Sequence, residues 1–490
     1  KTRSLSGQKN TLISNSVPTL NTATESPTTS GGYAHNGVAG FFGRINYDYR
    51  GKYMATILFR GDGSSNFARG NRWGYFPSFS LGWNIAEEHF MNSSRDFFDL
   101  LKLRMSWGEN GNNKIPSNRY LPLIALGNSQ NAAWYYFGTD KSNPAIGSYS
   151  EFIANPDLKW ETSRQLNFGL DSRFFNNKLG VMAAISYQNA PVGSDDVEFE
   201  YDVNKKGEVV MVEAQKRQYY VTRERQSYSL AFDYDINPNH RLTLQGIYNR
   251  RHDWENRYRV TYKDLDKTGL DDEGEMQQSA QIETKGGTPN NKNARLELQQ
   301  TMDFSLGGEH QFGKLSMDWG ASYARATEDR PNERYFNLKQ DFLGFDVVDA
   351  GDRFPYVTTD VSLHNGKADG ERGKWKVKEL TESNQEIYEN DLKFKVNFEL
   401  PLTNGIYGNS LKFGAKYVSK TKDRDVICYD YADAYKDTYD TEYMNNLTSQ
   451  IRDGFMPGSQ YKATDFVSKE SLGSLNLANM EGEQVLEESS

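Results

Sequence analysis

The amino-acid sequence predicts an all-β fold, namely part of an antiparallel transmembrane β-barrel with about twelve strands. Three observations support this prediction. Apolar residues occupy every second position in segments of about ten residues, very short connections alternate with long polar ones, and 13% of the residues are aromatic in a chain whose mean hydropathy is −0.78.

The alternation is clearest in three segments. In residues 101–108, Leu, Leu, Met and Trp alternate with Lys, Arg, Ser and Gly, so a strand there has one apolar and one polar face. Residues 79–85 and 392–400 show the same pattern. A helix would spread these apolar residues around its circumference, because its period is about 3.6 residues rather than 2. Applied along the chain, the same criterion places strands at about 41–49, 53–60, 77–86, 101–108, 158–174, 179–189, 226–236, 241–249, 296–307, 315–324, 391–400 and 411–419.

Two kinds of connection join the predicted strands. Short connections lie at 50–52, 176–178, 238–239 and 313–314, with a slightly longer one at 401–410. Long polar stretches lie at roughly 61–76, 109–157, 191–225, 250–295, 325–390 and 420–490. In outer-membrane barrels the periplasmic turns are short and the extracellular loops long, so the alternation predicts the side on which each connection lies.

Composition excludes several other classes of protein. No run approaches the ~18 consecutive apolar residues of a transmembrane helix. A net charge of −9 argues against a nucleic-acid partner, and the single cysteine, Cys428, permits no internal disulfide. A soluble antiparallel sheet remains the alternative, because it alternates in the same way. Charged faces opposite the apolar ones, and long connections on one side only, favour the barrel.

Motifs for chemistry are scarce. The sequence holds no Gly-rich phosphate loop, zinc-binding His pair, nucleophile elbow or cysteine pair, so we predict no enzyme activity, no catalytic residue, no metal site and no cofactor. One cluster in a predicted extracellular loop is a candidate binding site, namely Trp134, Tyr135, Tyr136 and Phe137. Four adjacent aromatic side chains offer a stacking surface for sugar rings or for a partner protein. The alternative is that they pack within the loop or against the barrel rim.

Five motifs follow one another between residues 41 and 174. They are FGRINYDY at 42–49, RGDGSSNF at 60–67, WGYFPS at 73–78, LRMSWGENGN at 103–112 and NPDLKWE at 155–161. In this order they resemble the barrel of TonB-dependent transporters of the SusC/RagA group.

Beyond about residue 179 the motifs change, at 219–226, 248–251, 253–258 and 328–335. These are similar to a different group of TonB-dependent receptors, in which they fall early in the barrel. We therefore hypothesise a composite chain joined near residues 176–178, with one divergent receptor as the alternative. The expected divisions are a polar loop segment at 1–40, SusC/RagA-like strands at 41–178, strands of a second receptor type at 179–419 and a polar tail at 420–490.

The resemblance implies a place in the outer membrane of Gram-negative bacteria and the import of nutrients, either glycans or peptides. It also implies four partners: the lipid bilayer, the TonB complex acting through an internal plug, a SusD-like lipoprotein lid, and an oligosaccharide or peptide caught by the extracellular loops. Residues 1–40 resemble no plug, and about twelve strands close only a small barrel, so we expect an incomplete barrel. The alternatives are a passive porin or adhesin barrel and an outer-membrane enzyme.

Overall fold

The computed structural model describes most of the chain. The described residues are 2–12, 23–121, 124–126, 134–135, 145–146, 148–150, 154–207, 209–267, 269, 271–272, 274, 277–342, 345, 347–348, 356–357, 375–403, 408–438 and 466–489. No helix within these ranges combines the length and apolar character needed to cross a bilayer.

Strands make up most of the described chain. The first eleven are β1 (Thr2–Leu12), β2 (Ala23–Ala34), β3 (Val38–Tyr49), β4 (Tyr53–Ser64), β5 (Trp73–Asn84), β6 (Phe98–Asn112), β7 (Ile124–Leu126), β8 (Trp134–Tyr135), β9 (Ala145–Ile146), β10 (Ser148–Ser150) and β11 (Glu161–Phe174). The others are β12 (Leu179–Val203), β13 (Val209–Asn237), β14 (His240–Lys263), β15 (Gln278–Gly286), β16 (Arg295–Phe312), β17 (Leu315–Phe342), β18 (Val347–Val348), β19 (Tyr356–Val357), β20 (Lys376–Pro401), β21 (Ser410–Asp430) and β22 (Glu483–Ser489).

Helical elements are short. Helix α1 spans Ala432–Thr438 and α2 spans Lys469–Ser474. Turns of 3₁₀ helix lie at Ile85–Glu87, His89–Ser94, Pro289–Asn291 and Leu477–Asn479.

One sheet of fourteen strands organises the described chain, and β11 to β17 and β20 to β22 pair antiparallel in it. Its order is β22-β21-β20-β17-β15-β14-β13-β12-β11-β6-β5-β4-β3, and β16 pairs with both β14 and β17. Strand β14 changes its partner along its length. Strand β14 pairs with β16 from His240 to Glu255, and with β15 from Arg257 onward. The prediction of an antiparallel all-β fold is confirmed.

All twelve predicted strands occur in this sheet, as β3 to β6, β11 to β14, β16, β17, β20 and β21. Two of its strands, β15 and β22, were not predicted. Strand β15, with the sequence QSAQIETKG, is buried at almost every position. Because neither of its faces is exposed to solvent, its sequence does not show the alternation of apolar and polar residues by which the other strands were predicted.

Most strands of the second half are longer than predicted. Strand β13 has 29 residues and β17 has 28, whereas about 9 to 11 residues suffice to cross a bilayer. Much of the polar sequence at 191–225, 250–295 and 325–390 therefore continues the strands. The alternation is harder to see there because some polar residues, such as the buried Asn256, also lie on the apolar face of these extensions.

The chain divides into two compact units. The first comprises residues 1–45, 57–78 and 109–162, and the second comprises residues 46–56, 79–108 and 163–490.

The tight turns of the second unit lie side by side. The amide of Asp235 donates to the carbonyl of Lys178 (2.8 Å), and the amide of Gln311 donates to the carbonyl of Asn239 (2.8 Å). A further turn places Arg50 and Gly51 at φ 56° and 67°, the left-handed region that a two-residue hairpin of type I′ requires. Three tight turns at 175–178, 238–239 and 313–314 thus lie at one end of the strands, as the prediction of sidedness requires.

Near these turns the apolar face of the second unit is uncovered. Leu81 is 52% exposed, Leu103 43% and Leu244 44%. We call this surface the exposed apolar zone; its large exposed side chains include Phe79, Leu81, Trp83, Leu103, Phe168, Ile185, Leu230, Leu244, Phe304, Leu306, Phe394, Phe413 and Tyr417. Such a continuous apolar surface would be costly in water and is the surface that lipid covers in a transmembrane barrel.

Farther along the strands the same face is covered. Tyr258 and Val260 of β14 are fully buried, and they pack in a core with side chains of β15, β17, β20 and the segment 466–477. Helix α2 lies within this segment, and Tyr435 of α1 also packs in the core. The strand extensions therefore carry their own hydrophobic core, beyond the exposed apolar zone.

Candidate functional site

Opposite this core, the strand extensions present a face rich in charged and hydroxyl groups. In β14, Arg257 and Arg259 alternate with the buried Tyr258, so they point to the other side of the sheet. The register places Lys285 opposite Arg257 and also opposite Tyr335. We call this surface the charged face; it consists of Tyr219, Arg223, Asp253, Glu255, Arg257, Arg259, Glu283, Lys285, Arg295, Glu333 and Tyr335.

Ion pairs cross the charged face from strand to strand. Glu283 accepts from Arg257 (3.2 Å) and from Arg259 (2.7 Å). Arg295 donates to Glu255 (2.5 Å) and to Glu333 (3.1 Å). Each carboxylate therefore fixes a cation on a neighbouring strand, and charge-assisted hydrogen bonds of this kind hold side chains in defined positions.

Lys285 is the most unusual group on this face. Its ammonium lies 3.6 Å from the centre of the Tyr335 ring and 3.8 Å from the nearest oxygen of Glu283. Burial lowers the pKa of Lys285 to about 8, and the neighbouring Arg257 and Arg295 act in the same direction, whereas Glu283 opposes them. Burial also raises the pKa of Tyr335 to about 12. The face thus holds an amine that loses its proton far more readily than a solvated lysine.

One buried arginine, Arg334, links the segment 466–477 to the strands of the core behind the charged face. Arg334 is 6% exposed, and its Nη1 donates to the carbonyls of Leu472 (3.0 Å), Gly473 (3.0 Å) and Leu475 (2.9 Å). These carbonyls lie at the end of α2, where the helix leaves acceptors unpaired. Its Nε donates to Glu382 (2.7 Å). The segment 466–477 is therefore bound firmly to the strands that carry the charged face.

The predicted aromatic cluster is only partly described. Trp134 and Tyr135 form β8, which pairs with Ala145–Ile146. Tyr136 and Phe137 lie outside the described residues. The proposed stacking role of these four residues stays a prediction.

Sequence reasoning missed the charged face. Its residues lie in stretches predicted to be loops, and their position on one side of long strands becomes visible only from the register. The alternation of Arg257 and Arg259 with aromatic and β-branched neighbours could have indicated a strand with one charged face. Within the described ranges, no group of three or more His, Cys, Asp or Glu side chains could hold a metal ion.

A cavity of about 1030 Å³ lies in the second unit, away from the charged face. Leu81, Leu103, Phe168 and Leu230 are among the apolar side chains that line it. It is a hollow in the exposed apolar zone and therefore suits acyl chains better than a polar ligand.

The sequence motifs of the first unit serve its packing. Asn66 is buried, and its Nδ2 donates to the carbonyls of Asn113 (3.0 Å) and Ile115 (3.3 Å). Phe67 lies 5.4 Å from Trp160 between ring centres, and the indole of Trp160 donates to a backbone carbonyl (2.8 Å). Residues from two of the five motifs, 60–67 and 155–161, thus meet, which gives a structural reason for their occurrence together.

A large antiparallel sheet with an exposed apolar zone near its tight turns, and polar extensions beyond, has the features of an outer-membrane β-barrel. Residues 4–190 match the family described as TonB dependent receptor-like, beta-barrel. The resemblance to TonB-dependent receptors is thereby confirmed.

Two similar proteins have names that agree with this family. The chain is 36% identical over 175 residues to TonB-dependent receptor P26 of Formosa agariphila, a match that covers 36% of this chain and 16% of that protein. It is 40% identical over 146 residues to TonB-dependent receptor SusC of Bacteroides thetaiotaomicron, covering 29% of this chain and 14% of that protein. The chain therefore spans only a small part of the length of these relatives.

A solved structure titled as the RagAB peptide transporter is also similar. It is 17% identical to this chain with a TM-score of 0.36, and the match covers 83% of this chain and 49% of that one.

Proposed function

We propose that this chain is part of a TonB-dependent outer-membrane transporter that imports nutrients of the glycan or peptide class. The observation that supports the proposal is the family match over residues 4–190, which coincides with strands whose apolar side chains are uncovered. The location would be the outer membrane, with the exposed apolar zone in contact with lipid.

In this proposal the strand extensions stand outside the bilayer. Arg257 lies 17 residues after the start of β14 at His240, and about 9 to 11 residues suffice to cross the membrane. The charged face would then line the extracellular part of the ligand path, where it meets ligand before the membrane-spanning part. Residues 134–137 would supply a second contact by stacking on sugar rings.

The partners are proposed from the family as well. Release of the ligand into the periplasm would depend on the TonB complex acting through a plug domain. A SusD-like lipoprotein would cover the extracellular opening. The proposed chain itself contributes binding and a path, and no catalytic step.

The test is ligand binding by the full chain in detergent micelles, after heat-modifiable migration has shown a folded barrel. A panel of oligosaccharides and short peptides is titrated by calorimetry, and ion conductance is measured in planar bilayers. Saturable binding of one ligand class supports the proposal. Absence of binding together with an unselective conductance would instead support a passive porin.

The same assay tests the stacking role of the aromatic cluster at 134–137. A variant with Trp134→Ala and Tyr135→Ala should bind a sugar ligand more weakly, because stacking on each ring contributes to affinity. Unchanged affinity would reject the stacking role.

We also propose that the chain is a composite joined near residues 176–178. The family match ends at residue 190, close to the proposed join, and β11 pairs with β12 without interruption from Phe174 and Leu179 onward. An ordinary hairpin at the join explains how two receptor types would continue one sheet. Sequencing reads of the source DNA across codons 170–190 test this; uninterrupted native coverage would reject it.

A further inference from the structure

The charged face has hydrogen-bond donors that its own residues leave unused. The ammonium of Lys285 has three donors. Its nearest carboxylate oxygen, on Glu283, is 3.8 Å away, beyond hydrogen-bond distance. Within the described part of the chain, Lys285 makes no hydrogen bond through its amine, although its side chain is only 12% exposed.

A second unused donor lies on the neighbouring strand. Arg257 is the register partner of Lys285. Its Nη2 donates to Glu283, but its Nε is buried and has no hydrogen-bond partner. Two cationic side chains with unused donors are therefore adjacent on the same face of the sheet.

The surrounding charges favour an anion at this position. Four cations, Arg257, Arg259, Lys285 and Arg295, stand among three carboxylates, Glu255, Glu283 and Glu333. A further carboxyl group, that of Glu379, lies near Glu283 and Lys285; burial and Glu283 raise its pKa, and Lys285 lowers it. The ion-paired groups alone carry one more positive than negative charge, and with Glu379 the two signs balance, in a chain whose net charge is −9.

Stacking on a neutral sugar is disfavoured at the same place. Cations already contact the ring of Tyr335, with Lys285 at 3.6 Å and Arg295 at 5.4 Å from its centre. A ring used in this way is not free to stack on a sugar, so recognition here depends on charge and hydrogen bonds.

We propose that Lys285 and Arg257 form a subsite for an anionic oxygen group, a carboxylate or sulfate, carried by the ligand. The inference rests on the proposed function, since it places the charged face on the ligand path. The bound group would accept hydrogen bonds from the Lys285 amine, and the adjacent guanidinium of Arg257 would add positive charge. The ligand is then an acidic oligosaccharide or an acidic peptide, rather than a neutral one.

The pKa of the Lys285 amine reports whether an anion is bound in the subsite. An anion bound beside it stabilises the protonated form and so raises its pKa from about 8 toward the usual value. Competitive acetylation followed by mass spectrometry gives the pH at which each lysine of the full chain becomes reactive. Lys339, which pairs with Asp341 (2.8 Å), is the matched control on the same polar side of β17.

The probes are trigalacturonate, triglutamate, maltotriose and sodium sulfate. We expect trigalacturonate or triglutamate to raise the reactive pH of Lys285 by half a unit or more, and maltotriose to leave it unchanged, with Lys339 unaffected throughout. Whichever acidic probe acts identifies the source of the anion. An equal effect of sodium sulfate would mean that free anions suffice and would overturn the assignment to a ligand. No effect of any probe would also overturn it.

Substitutions complete the test. Lys285→Met should weaken binding of the active acidic probe at least tenfold, whereas Lys285→Arg retains most of it because charge and donors remain. Should Lys285→Met fail to fold, Arg257→Gln provides the same comparison. Neutral oligosaccharides that bind while acidic ligands do not would leave the proposed function standing and reject the subsite alone.

Discussion

Replacing Arg334 with Ala should release the segment 466–477 from the strand extensions. Arg334 donates to three carbonyls at the end of α2 and to Glu382, and it is buried at 6% exposure. The substitution removes this donor from all four groups, although the Leu472 carbonyl still accepts from the Leu475 amide (3.4 Å) and Glu382 from Asn332 (3.4 Å). Because Arg334 is charged, each bond it makes is stronger than one between neutral groups.

The magnitude follows from the loss of a buried charged partner. Removing one member of a buried ion pair costs roughly 3–5 kcal/mol, because the remaining charge is left uncompensated. Glu382 keeps 16% of its side chain exposed, so water recovers part of this cost. We therefore expect the local free energy of opening for residues 466–477 to fall by about 3 kcal/mol.

Hydrogen–deuterium exchange of the backbone amides of 466–477 measures this opening directly. Arg330→Ala is the matched control, because Arg330 is 28% exposed and pairs with Glu297 and Glu328 on the other side of β17. That variant should change exchange in 466–477 by less than about 1 kcal/mol.

A double variant separates the two causes. Arg334→Ala with Glu382→Gln removes the uncompensated charge as well as the donor, so it should be less destabilised than Arg334→Ala alone by about 1–2 kcal/mol. Unchanged exchange in Arg334→Ala, or a double variant that exchanges faster than the single one, would refute this account of the segment.

Three further predictions concern single residues. Lys285→Met should raise the free energy of unfolding at pH 7 by about 1–2 kcal/mol, because burying the ammonium costs about 3 kcal/mol and the variant loses the favourable contact with the Tyr335 ring. Since folding lowers the pKa of Lys285 to about 8, the thermal stability of the wild type should rise between pH 8 and 10.5, whereas that of the variant should not. Asn66→Ala should speed amide exchange at residues 113–115, with a loss of about 1–3 kcal/mol. Contacts from Lys52 lower the pKa of Glu88 to about 2, so its stabilisation is lost as pH falls from 4.5 to 2, and Glu88→Gln should flatten acid unfolding in that range.

The sequence predicted the membrane-proximal strands well for a physical reason. Residues 101–108 alternate because one side of β6 is apolar, with Leu103 exposed on it, and the other side is polar, and this contrast is visible in the order of residues alone. The tight turns were equally visible, since Gly51 and the residues at 176–178 and 238–239 are typical of hairpins.

The strand extensions were not visible in the same way. Both sides of β15 are buried, by the hydrophobic core on one side and by ion pairs on the other, so its sequence has no wet face. Arg334 and Leu472 are 138 residues apart in sequence, and no local pattern indicates that they meet.

The charged face was missed for a related reason. Its ion pairs join β14, β15, β16 and β17, and sequence alone does not give the register between strands so far apart. The aromatic cluster at 134–137 was noticed because its residues are adjacent, whereas Lys285 and Tyr335 become neighbours only in the sheet.

Contact between the exposed apolar zone and lipid is the claim on which the proposed function depends. Spin labels placed singly at residues 79–84, in a chain with Cys428→Ser reconstituted into phospholipid vesicles, test it through their access to oxygen and to a water-soluble nickel reagent. We predict a period of two, with Phe79, Leu81 and Trp83 positions open to oxygen and Ser80 and Gly82 positions open to nickel. Equal access to the nickel reagent at all six positions would contradict a membrane-spanning sheet.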